Sequence, residues 1–433
     1  MQTVAGKYAE ARIYADIVEP EAIAQIKGML DQPFTEGSSV AVMPDVHSGK
    51  GCTIGTTMTI HDKVVPNLVG VDIGCGVLFS LVDEKGEIEE ADLQRLDEVI
   101  RSYIPSGFDV RDTAWLRAHP GARQGLDFFR LGHITESELD NLRCAKHVDL
   151  KRAKQSVGTL GGGNHYIELD RDSRGRIWLA VHSGSRHLGT GTAAYYQNLA
   201  IEERKYGSAV GYNDMVAAIK EQYKNTPQEI GAKIKELRSR VAEVPEDLCW
   251  LDKSCGTGYD DYIADMETVQ KYAALNRAAM AYEIADRMGW KLGETIETVH
   301  NYIDMDDMVL RKGAVSARAG ELLVIPMNMR DGILICKGKG NPDWNCSAPH
   351  GAGRLMSRKS ANKNLSMEEF RSSMSGIYTT SVTEDTLDES PMAYKPAEAI
   401  MEAVTETAYI VDTAKPIYNF KAAERPKNPR KKR

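Results

Sequence analysis

Distant parts of this chain carry side chains of the kinds that bind transition metals, each in a short glycine-rich or strand-like stretch. The five candidates are Asp72, Cys75, His165, His182 and His300. Glycine permits close backbone approach, so a pocket can be assembled from such loops. A thiolate, a carboxylate and imidazoles together suit Zn, Mn, Fe or Co. Because none of the seven cysteines forms a Cys-x-x-Cys pair, the pattern favours a catalytic site built from distant segments over a structural zinc site.

The spacing of the first two candidates allows two metal arrangements. Asp72 and Cys75 are three residues apart, so one loop can direct both side chains at a single ion, or the thiolate can bridge two ions. A single histidine is more often a structural residue than a ligand. The glycine turns and strand ends that the candidate histidines share reverse that expectation.

Two further residues turn the metal hypothesis into one about catalysis. His350 lies in Ser-Ala-Pro-His-Gly-Ala-Gly-Arg (347–354), a context like that of the candidate ligands. Asp45 lies in Met-Pro-Asp-Val-His-Ser-Gly-Lys-Gly (43–51). Asp45 could orient a ligand or act as an acid or base, or it could cap local amides in a turn. These two interpretations carry equal weight at this point.

Composition indicates a globular protein with reduced cysteines. The chain has 433 residues, 42% of them hydrophobic, which is enough for one large core or two ordinary ones. No stretch approaches the roughly 20 apolar residues that span a bilayer, and the first residues lack the apolar run of a secretory signal. We therefore expect a cytoplasmic protein with no membrane association.

Charge is distributed unevenly along the chain. The net charge of −8 would ordinarily speak against a nucleic-acid partner, because phosphate binding relies on Lys and Arg. Positive charge is nevertheless concentrated at the end of the sequence, from Lys421 onward. We interpret residues 425–433 as a basic C-terminal tail, and a solvated, frayed terminus is its simplest description.

The elements that must position these residues form a mixed α/β pattern. Residues 1–80 are rich in strands and loops, whereas residues 87–150 have helical spacing. A buried strand over 176–181 should deliver His182 at its end. Further strands are predicted at 39–43, 295–300, 322–325 and 333–336.

A helical region separates the two halves of the pattern. Residues 192–288 read as a helical insertion that serves as a scaffold, and its last part, from about 262 to 288, is one long helix. No repeat or obvious linker divides the chain. We therefore predict a single large mixed α/β catalytic domain over residues 1–424, with a central metal site between β-rich layers.

Seven ordered motifs together resemble the RtcB family of RNA-splicing ligases over nearly the whole chain. They are Met-Pro-Asp-Val-His (43–47), Gly-Val-Asp-Ile-Gly-Cys-Gly-Val (70–77), Gly-Gly-Gly-Asn-His-Tyr-Ile-Glu (161–168), His-Ser-Gly-Ser-Arg (182–186), His-Asn (300–301), Arg-Lys-Gly-Ala (311–314) and His-Gly-Ala-Gly-Arg (350–354). Seven motifs in order are far more specific than any one of them.

The resemblance implies a metal set, a cofactor and a reaction. It implies two Mn²⁺ ions, one held by Asp72, Cys75 and His165 and the other by Cys75, His182 and His300. It implies GTP as cofactor and His350 as the nucleophile that becomes guanylylated. Family members join an RNA 3′-phosphate or 2′,3′-cyclic phosphate to a 5′-hydroxyl, in RNA repair or tRNA splicing. RNA with such ends and GTP are therefore the expected partners, and an accessory activating protein is a further candidate.

Motif positions also imply nucleotide contacts. Asn164 should contact the α-phosphate, Glu168 the guanine edge, and Gly351, Ala352 and Gly353 should present backbone amides. The remaining residues that the resemblance assigns to the nucleotide are His165, Tyr166, Ile167, His300, Asn301, Pro326, Met327, Asn328, Met329, His350, Tyr394 and Lys421. Arg186 and Arg354 suit phosphate clamping, since a guanidinium fork matches phosphate oxygens, and a structural ion pair is the alternative for each.

One segment departs from the family pattern. Where family members commonly have Ile-Pro-Gly-Ser-Met-Gly followed shortly by a second Ser, residues 325–333 read Ile-Pro-Met-Asn-Met-Arg-Asp-Gly-Ile. Asn328 and Ile333 replace the two hydroxyls, and Ile333 cannot form a hydrogen bond. Together with Pro349 before His350 and the basic extension, this indicates a divergent branch, one that could repair damaged RNA rather than splice tRNA.

Two other functions compete with the ligase. One is a metal-dependent phosphoesterase that opens 2′,3′-cyclic phosphates without ligation, and the other is an RNA-binding or sensing protein with a structural metal. Covalent GMP on His350 is expected of the ligase and excluded by the phosphoesterase. The sensor predicts that His350→Ala and Cys75→Ala leave RNA processing unchanged.

Overall fold

The computed structural model describes residues 1–16, 18–83, 87–206, 212–239 and 244–422. Its strands are β1 Gln2–Ala5, β2 Glu10–Ile13, β3 Val40–His47, β4 Ile54–Thr59, β5 Lys63–Val64, β6 Gly76–Asp83, β7 Tyr166–Arg171, β8 Ile177–Ser183, β9 Leu251–Asp252, β10 Lys291–Val299, β11 Asn301–Asp304, β12 Val309–Lys312, β13 Ala314–Ser316, β14 Leu322–Pro326, β15 Ile333–Gly338, β16 Ser347–Pro349 and β17 Ala408–Lys421. Its α-helices are α1 Pro20–Leu30, α2 Pro66–Val69, α3 Glu90–Tyr103, α4 Thr113–Ala118, α5 Glu136–Asp140, α6 Leu150–Ser156, α7 Arg186–Tyr206, α8 Tyr212–Gln222, α9 Pro227–Ser239, α10 Gly258–Met288, α11 Arg358–Asn364, α12 Met367–Ser373 and α13 Ala397–Val404.

Two large sheets organise the described residues. The first has six strands in the order β1-β2-β3-β4-β12-β11, with β2 and β3 parallel. The second has seven antiparallel strands in the order β10-β6-β8-β7-β17-β15-β14. Its two edge strands meet where Thr298 donates a hydrogen bond to the carbonyl of Val324, at 3.5 Å, so this sheet nearly closes into a barrel. His300, between β10 and β11, lies where the chain passes from one sheet to the other.

Side-chain alternation along the strands separates the barrel interior from its outer face. Inside the barrel, Phe79 of β6 stacks on Trp178 of β8 with ring centroids 4.6 Å apart. The outer faces of β6, β7 and β8 pack against α3 and α10 in one apolar cluster. A second and larger cluster joins the six-stranded sheet to α1, α7 and α10. Helix α10 thus contributes to both cores, and this explains why most of its residues are buried.

The predicted mixed α/β fold with a candidate metal site between the sheets is confirmed. The strands predicted near 39–43, 176–181, 295–300, 322–325 and 333–336 correspond to β3, β8, β10, β14 and β15. The long helix begins at Gly258, a turn earlier than predicted. Helix α1, inside the region predicted as strands and loops, was missed. The single-domain boundaries and the insertion over 192–288 stay predictions, and the tail over 425–433 lies outside the described residues.

Among the described helices, none is both long enough and apolar enough to cross a membrane.

Candidate metal centre and the adjoining cavity

The five candidate ligands converge on one buried cluster. The sulfur of Cys75 lies 3.5 Å from Nε2 of His165 and 3.5 Å from Nε2 of His182. Nε2 of His165 is 3.1 Å from Oδ2 of Asp72, and Nε2 of His182 is 3.4 Å from Nε2 of His300. The atoms form two triads that share the sulfur, with ligand atoms within 4.8 Å of one another in each. This grouping is the one that the family resemblance implies, with Cys75 between two ions.

Second hydrogen bonds orient the imidazoles toward the centre. Nδ1 of His165 lies 2.8 Å from the carbonyl of Leu160, and Nδ1 of His182 lies 3.2 Å from the carbonyl of Asn164. A carbonyl only accepts, so each Nδ1 carries a proton and each Nε2 is the nitrogen that faces the centre. Both rings are therefore oriented with Nε2 as the atom that a metal would bind.

Strand pairing brings these residues together from distant parts of the sequence. Val77 of β6 and Tyr166 of β7 both pair with His182 of β8. Cys75 immediately precedes β6 and His165 immediately precedes β7, so their side chains meet at the same end of the sheet. The amide of His300 donates to the carbonyl of Cys75 at 2.9 Å, and this adds the residue between β10 and β11.

Two adjacent residues of α10 tie the loops of the centre to the core. The side chain of Asn276 accepts from the amides of Gly158 and Thr159 and donates to the carbonyls of Thr159 and Gly184. The guanidinium of Arg277 donates to the carbonyls of Gly74 and Ser183 at 2.7 and 2.8 Å. Both side chains are fully buried. Sequence reasoning placed both residues on the helix but assigned them no role, because only the folded loops supply their partners.

Burial and local charge leave most of the ligands in the protonation state that a metal binds. Burial raises the pKa of Asp72, but hydrogen bonding to His165 and the charges of His165 and Arg186 outweigh it and lower the pKa to about 2. Burial lowers the pKa of His182 and of His300 well below the ordinary value, so both rings are neutral. Burial also raises the pKa of the Cys75 thiol, with a further contribution from Asp72. An ion that binds the sulfur must therefore displace a proton.

His350 stands beside the metal ligands and is held by Asp45. Its Nδ1 lies 2.6 Å from Oδ2 of Asp45, which is completely buried, and its ring centroid is 4.8 Å from that of His300. Because an ionised carboxylate only accepts, Nδ1 donates and Nε2 keeps its lone pair. Asp45 lies within β3 rather than in a turn. Its geometry therefore fits a residue that orients His350 and does not fit one that caps a turn.

A cavity of about 360 Å³ opens next to His350 and the metal ligands. Its lining includes most of the residues assigned to the nucleotide, namely Asn164, Tyr166, Glu168, Pro326, Met327, Asn328, Met329, His350, Gly351, Ala352, Gly353, Tyr394 and Lys421. The metal ligand His182 and the candidate clamp Arg354 line it as well. The fold thus collects widely separated sequence segments around one space.

Four residues assigned to the nucleotide do not line this cavity. His165 and His300 belong to the metal cluster, and Ile167 and Asn301 lie elsewhere. The side chain of Ile167 packs in the outer apolar cluster, because it alternates with Tyr166 and Glu168 along β7. Only its backbone remains for a nucleotide contact. Asn301 donates to the carbonyl of Asp72 at 3.2 Å and accepts from the amide of Gly313, so it supports the metal loop instead.

Glu389, which the sequence did not single out, organises the cations of the cavity. Its carboxylate contacts Lys421 Nζ at 2.6 Å, Tyr394 Oη at 2.6 Å, Arg358 at 2.6 Å and Arg354 at 3.3 Å. It is 2% exposed, and the surrounding cations overcome the effect of burial and lower its pKa to about 2. It immediately precedes the segment Ser-Pro-Met-Ala-Tyr-Lys-Pro (390–396), which contains Tyr394, and this neighbourhood is the local signal that could have pointed to it.

The two candidate phosphate-clamping arginines have different partners. Arg354 pairs with Glu389 and donates to the carbonyl of Asp388 at 2.6 Å, and it also lines the cavity, so its clamping role stays a prediction beside this ion pair. Arg186 donates to the hydroxyl of Thr159 and the carbonyl of Gly107. Its clamping role stays a prediction.

The segment that departs from the family pattern is explained by local bonding and by packing. The side-chain oxygen of Asn328 accepts from the amides of Arg330 and Asp331, and its nitrogen donates to the carboxylate of Asp331. Asn328 therefore closes its own loop at the cavity wall. Ile333 is fully buried in the barrel interior and does not line the cavity. The second missing hydroxyl thus corresponds to an apolar core position.

Two carboxyls lie buried side by side along the inner face of β7. Burial raises the pKa of Glu168 to about 7, although a hydrogen bond from Asn419 and the charge of Lys421 oppose the rise. Asp170 is fully buried, and neither of its oxygens has a hydrogen-bond partner among the described residues. Burial and the nearby Glu168 raise the pKa of Asp170 well above its ordinary value. The barrel interior thus holds a neutral Asp170.

Comparison with known proteins agrees with this geometry. The family model described as tRNA-splicing ligase RtcB matches residues 25–422. The RNA-splicing ligase RtcB of Escherichia coli strain K12 is 31% identical, covering 92% of this chain and 94% of that protein. The tRNA-splicing ligase RtcB of Pyrobaculum aerophilum is 25% identical over 92% of this chain and 91% of its own length. The RNA-splicing ligase RtcB of Mycobacterium tuberculosis is 27% identical over 83% and 91%. Taken with the shared-sulfur metal cluster and the adjoining cavity, these matches show that the chain belongs to the RtcB family.

Proposed function

We propose that this protein is a GTP- and Mn²⁺-dependent RNA ligase. It joins an RNA end bearing a 3′-phosphate or 2′,3′-cyclic phosphate to a 5′-hydroxyl end through a guanylylated histidine, in RNA repair or tRNA splicing. The observation that carries the proposal is the placement of His350, bonded to Asp45, beside two metal triads and a cavity of nucleotide size. The names of the relatives, RNA-splicing and tRNA-splicing ligases, support the same reaction class.

The donor set fits divalent transition-metal ions. Asp72, Cys75 and His165 would hold one ion and Cys75, His182 and His300 a second. Their neutral imidazoles, ionised carboxylate and shared sulfur suit Mn²⁺ among other borderline metals. When bound, such ions supply positive charge that stabilises phosphate oxygens during transfer.

His350 serves as the nucleophile in the first step. Its Nε2 attacks the α-phosphorus of GTP, a phosphorus–nitrogen bond forms, and pyrophosphate leaves with the electron pair of the broken phosphorus–oxygen bond. Asp45 accepts a hydrogen bond from Nδ1–H of His350 and so stabilises the positive charge that the ring acquires. Glu168, which lines the cavity, accepts hydrogen bonds from the guanine N1 and N2 donors when it is ionised.

The remaining steps exchange phosphate groups. An oxygen of the RNA 3′-phosphate attacks the guanylyl phosphorus, and His350 leaves with its electron pair. The 5′-hydroxyl then attacks the RNA phosphorus and GMP departs, so that the phosphodiester closes. A 2′,3′-cyclic phosphate must first be opened by water. Arg186 and Arg354 are the residues we assign to the phosphates in these steps.

The test combines adduct formation with sealing. The purified protein is incubated with Mn²⁺, GTP labelled at the α-phosphate, and RNA that carries 2′,3′-cyclic phosphate and 5′-hydroxyl ends. We expect labelled protein and sealed RNA from the wild type, and neither from His350→Ala. His61→Ala, at an exposed histidine outside the cavity, is the matched control and should retain both. Absence of both products from the wild type would refute the proposal.

The same assay separates the ligase from a phosphoesterase. If the cyclic phosphate opens while no adduct forms and His350→Ala has no effect, the protein is a metal-dependent phosphoesterase instead.

A further inference from the structure

A second cavity adjoins the first, and His350 is not part of its lining. It has a volume of about 530 Å³ and reaches the metal ligands Asp72 and His165. Asn164 and Arg358 line both cavities, so the two spaces meet at the proposed reaction centre.

The second cavity has the charge of a phosphate site. Arg152, Arg186 and Arg358 line it, and His187 lies at its exposed margin. Asp72, a candidate metal ligand, is the one carboxylate among the described residues of its lining. A terminal phosphomonoester carries nearly two negative charges at neutral pH, whereas a 5′-hydroxyl carries none. The cavity therefore suits the 3′-phosphate end of an RNA rather than the 5′-hydroxyl end.

An exposed aromatic ring stands in the wall of this cavity. Phe108 is 57% exposed. An apolar ring of this size is usually buried, because exposing it to water is unfavourable. Nucleobases stack on such rings irrespective of their identity, because every base offers a π face.

The loop that carries Phe108 is anchored on both sides. The amide of Gly107 donates to the carbonyl of Gly161, in the same glycine-rich loop as His165, and the carbonyl of Gly107 accepts from Arg186. The carbonyl of Phe108 accepts from Arg152 at 3.2 Å, and the amide of Arg111 donates to the carbonyl of Gln155. The backbone that carries the ring is thus held at a fixed place relative to both the cations and the metal ligands.

We propose that Phe108 is a stacking platform for the base of the terminal nucleotide at the 3′-phosphate end of the RNA. The second cavity receives that end, with the terminal phosphate toward the arginines and the metal ligands and the base on Phe108. Stacking is insensitive to base identity, so the protein accepts RNA ends of any terminal base. This inference rests on the proposed function for its substrate, while its own content is the contact between Phe108 and the base.

The test compares removal of the ring with removal of the base. Wild type and Phe108→Ala are each measured with a 3′-phosphate RNA and with the same RNA lacking its terminal base. We expect Phe108→Ala to weaken RNA binding and raise the KM for ligation about tenfold, from the usual strength of base stacking. Removal of the terminal base should weaken RNA binding by the wild type by the same factor. It should not weaken binding by Phe108→Ala any further, because both changes remove the same contact.

Controls separate a specific loss from misfolding. Phe108→Trp should retain affinity, and Tyr409→Ala, at another exposed aromatic ring outside both cavities, should behave like the wild type. Labelling of His350 by GTP should be unchanged in Phe108→Ala, since that step uses the first cavity.

The outcomes distinguish the inference from the proposed function. The stacking role of Phe108 is refuted if Phe108→Ala binds RNA as tightly as the wild type does. It is also refuted if removal of the base weakens binding by that variant as much as it weakens binding by the wild type, even when ligation proceeds normally. A wild type that binds the RNA through Phe108 but neither labels nor seals refutes the ligase and leaves the platform standing.

Discussion

At the scale of single residues, the orientation of one imidazole decides whether the candidate nucleophile can react. Asp45 holds Nδ1 of His350 at 2.6 Å and so leaves the Nε2 lone pair available. The contact joins residues 305 positions apart in the sequence. Its geometry, together with the burial of Asp45, makes Asp45 a positioning group with a testable role.

Asp45→Asn should slow guanylylation of His350 far more than it weakens GTP binding. The amide can donate to Nδ1 and so favour the tautomer with its proton on Nε2, which is not nucleophilic. We expect a loss of about 10²–10⁴-fold in the single-turnover rate of labelling, in the range typical of a misdirected catalytic imidazole. An equal rate in the variant, with the fold intact by circular dichroism, would show that Asp45 does not set the tautomer.

GTP affinity should depend on pH through Glu168. Burial, the largest effect, raises the pKa of its carboxyl to about 7, so below that pH the group is mostly protonated and is a poor acceptor for the guanine N–H donors. Affinity should therefore fall roughly tenfold between pH 8 and pH 6, as one titrating group predicts. Calorimetric titration of GTP at several pH values measures this.

Glu168→Gln supplies the background for that measurement. It should bind GTP more weakly and without the step near pH 7, because its amide does not titrate. A pH dependence that persists unchanged in the variant would place the titrating group elsewhere.

At the scale of elements, alternation along β7 sends polar and apolar side chains to opposite faces and explains an unusual buried acid. Ile167 and Leu169 face the outer core, while Tyr166, Glu168 and Asp170 face the barrel interior. Glu168 and Asp170 lie on the same face of the strand, so the arrangement that directs Glu168 into the cavity also buries Asp170.

Asp170→Asn should stabilise the protein at alkaline pH. The folded state raises the pKa of Asp170 and so binds a proton that the unfolded chain releases above about pH 4. Its contribution to stability therefore decreases as pH rises toward the folded-state pKa. Asparagine does not ionise, so the variant lacks this loss. We expect its free energy of unfolding to exceed that of the wild type by about 1–3 kcal/mol at pH 8, and the difference to shrink toward pH 5. Urea unfolding measures this difference.

Asp172→Asn is the matched comparison at the end of the same strand. Asp172 accepts hydrogen bonds from Arg176 and Trp178, and these outweigh burial and lower its pKa. Its substitution should destabilise the protein, the opposite sign. A loss of stability in Asp170→Asn as well would show that Asp170 has a partner.

We expect Asn276 of α10 to stabilise the loops that lead to the candidate metal ligands. Asn276→Ala leaves the buried amides of Gly158 and Thr159 and the carbonyl of Gly184 without their partner. We expect a loss of about 2–4 kcal/mol in the free energy of unfolding, together with weaker metal binding. Lys271→Ala, on the exposed side of the same helix, should change neither quantity. Weakened stability with unaltered metal affinity would limit Asn276 to a packing role.

At the scale of the whole molecule, the candidate metal centre lies at the junction of the two large sheets. Cys75, His165 and His182 come from the end of the seven-stranded sheet, and His300 joins that sheet to the six-stranded one. An ion bound there would connect both sheets, so metal binding should stabilise the entire fold.

Adding Mn²⁺ should raise the unfolding temperature of the protein. Binding to the folded state alone stabilises it by about 2.7 kcal/mol when the free ion is at a hundred times its dissociation constant. Differential scanning calorimetry with and without Mn²⁺ measures the shift. Cys75→Ala removes the ligand shared by both triads and should abolish it, whereas His350→Ala, outside the triads, should retain it. An undiminished shift in Cys75→Ala would place the stabilising ion elsewhere.

Local patterns predicted much of the secondary structure and failed where neighbours in space decide. The strands at β8, β14 and β15 and the helix α10 follow from alternation and helical periodicity over short windows. Helix α1 was missed inside a region that was predicted to contain strands and loops. Strand order was not predictable either, since the partners of β17 are β7 and β15, far away in the sequence.

By itself, the sequence determined which chemistry the protein has available: the metal-binding residue types, the histidine beside a glycine turn, and ordered motifs that identify the family. These depend on residue type and on spacing along the chain. Only the tertiary structure decided that Asp45 orients His350, that Glu389 gathers the cations, and that Phe108 stands in a second cavity. Such contacts arise from strand register and helix packing between segments far apart in the sequence, and local spacing carries no record of them.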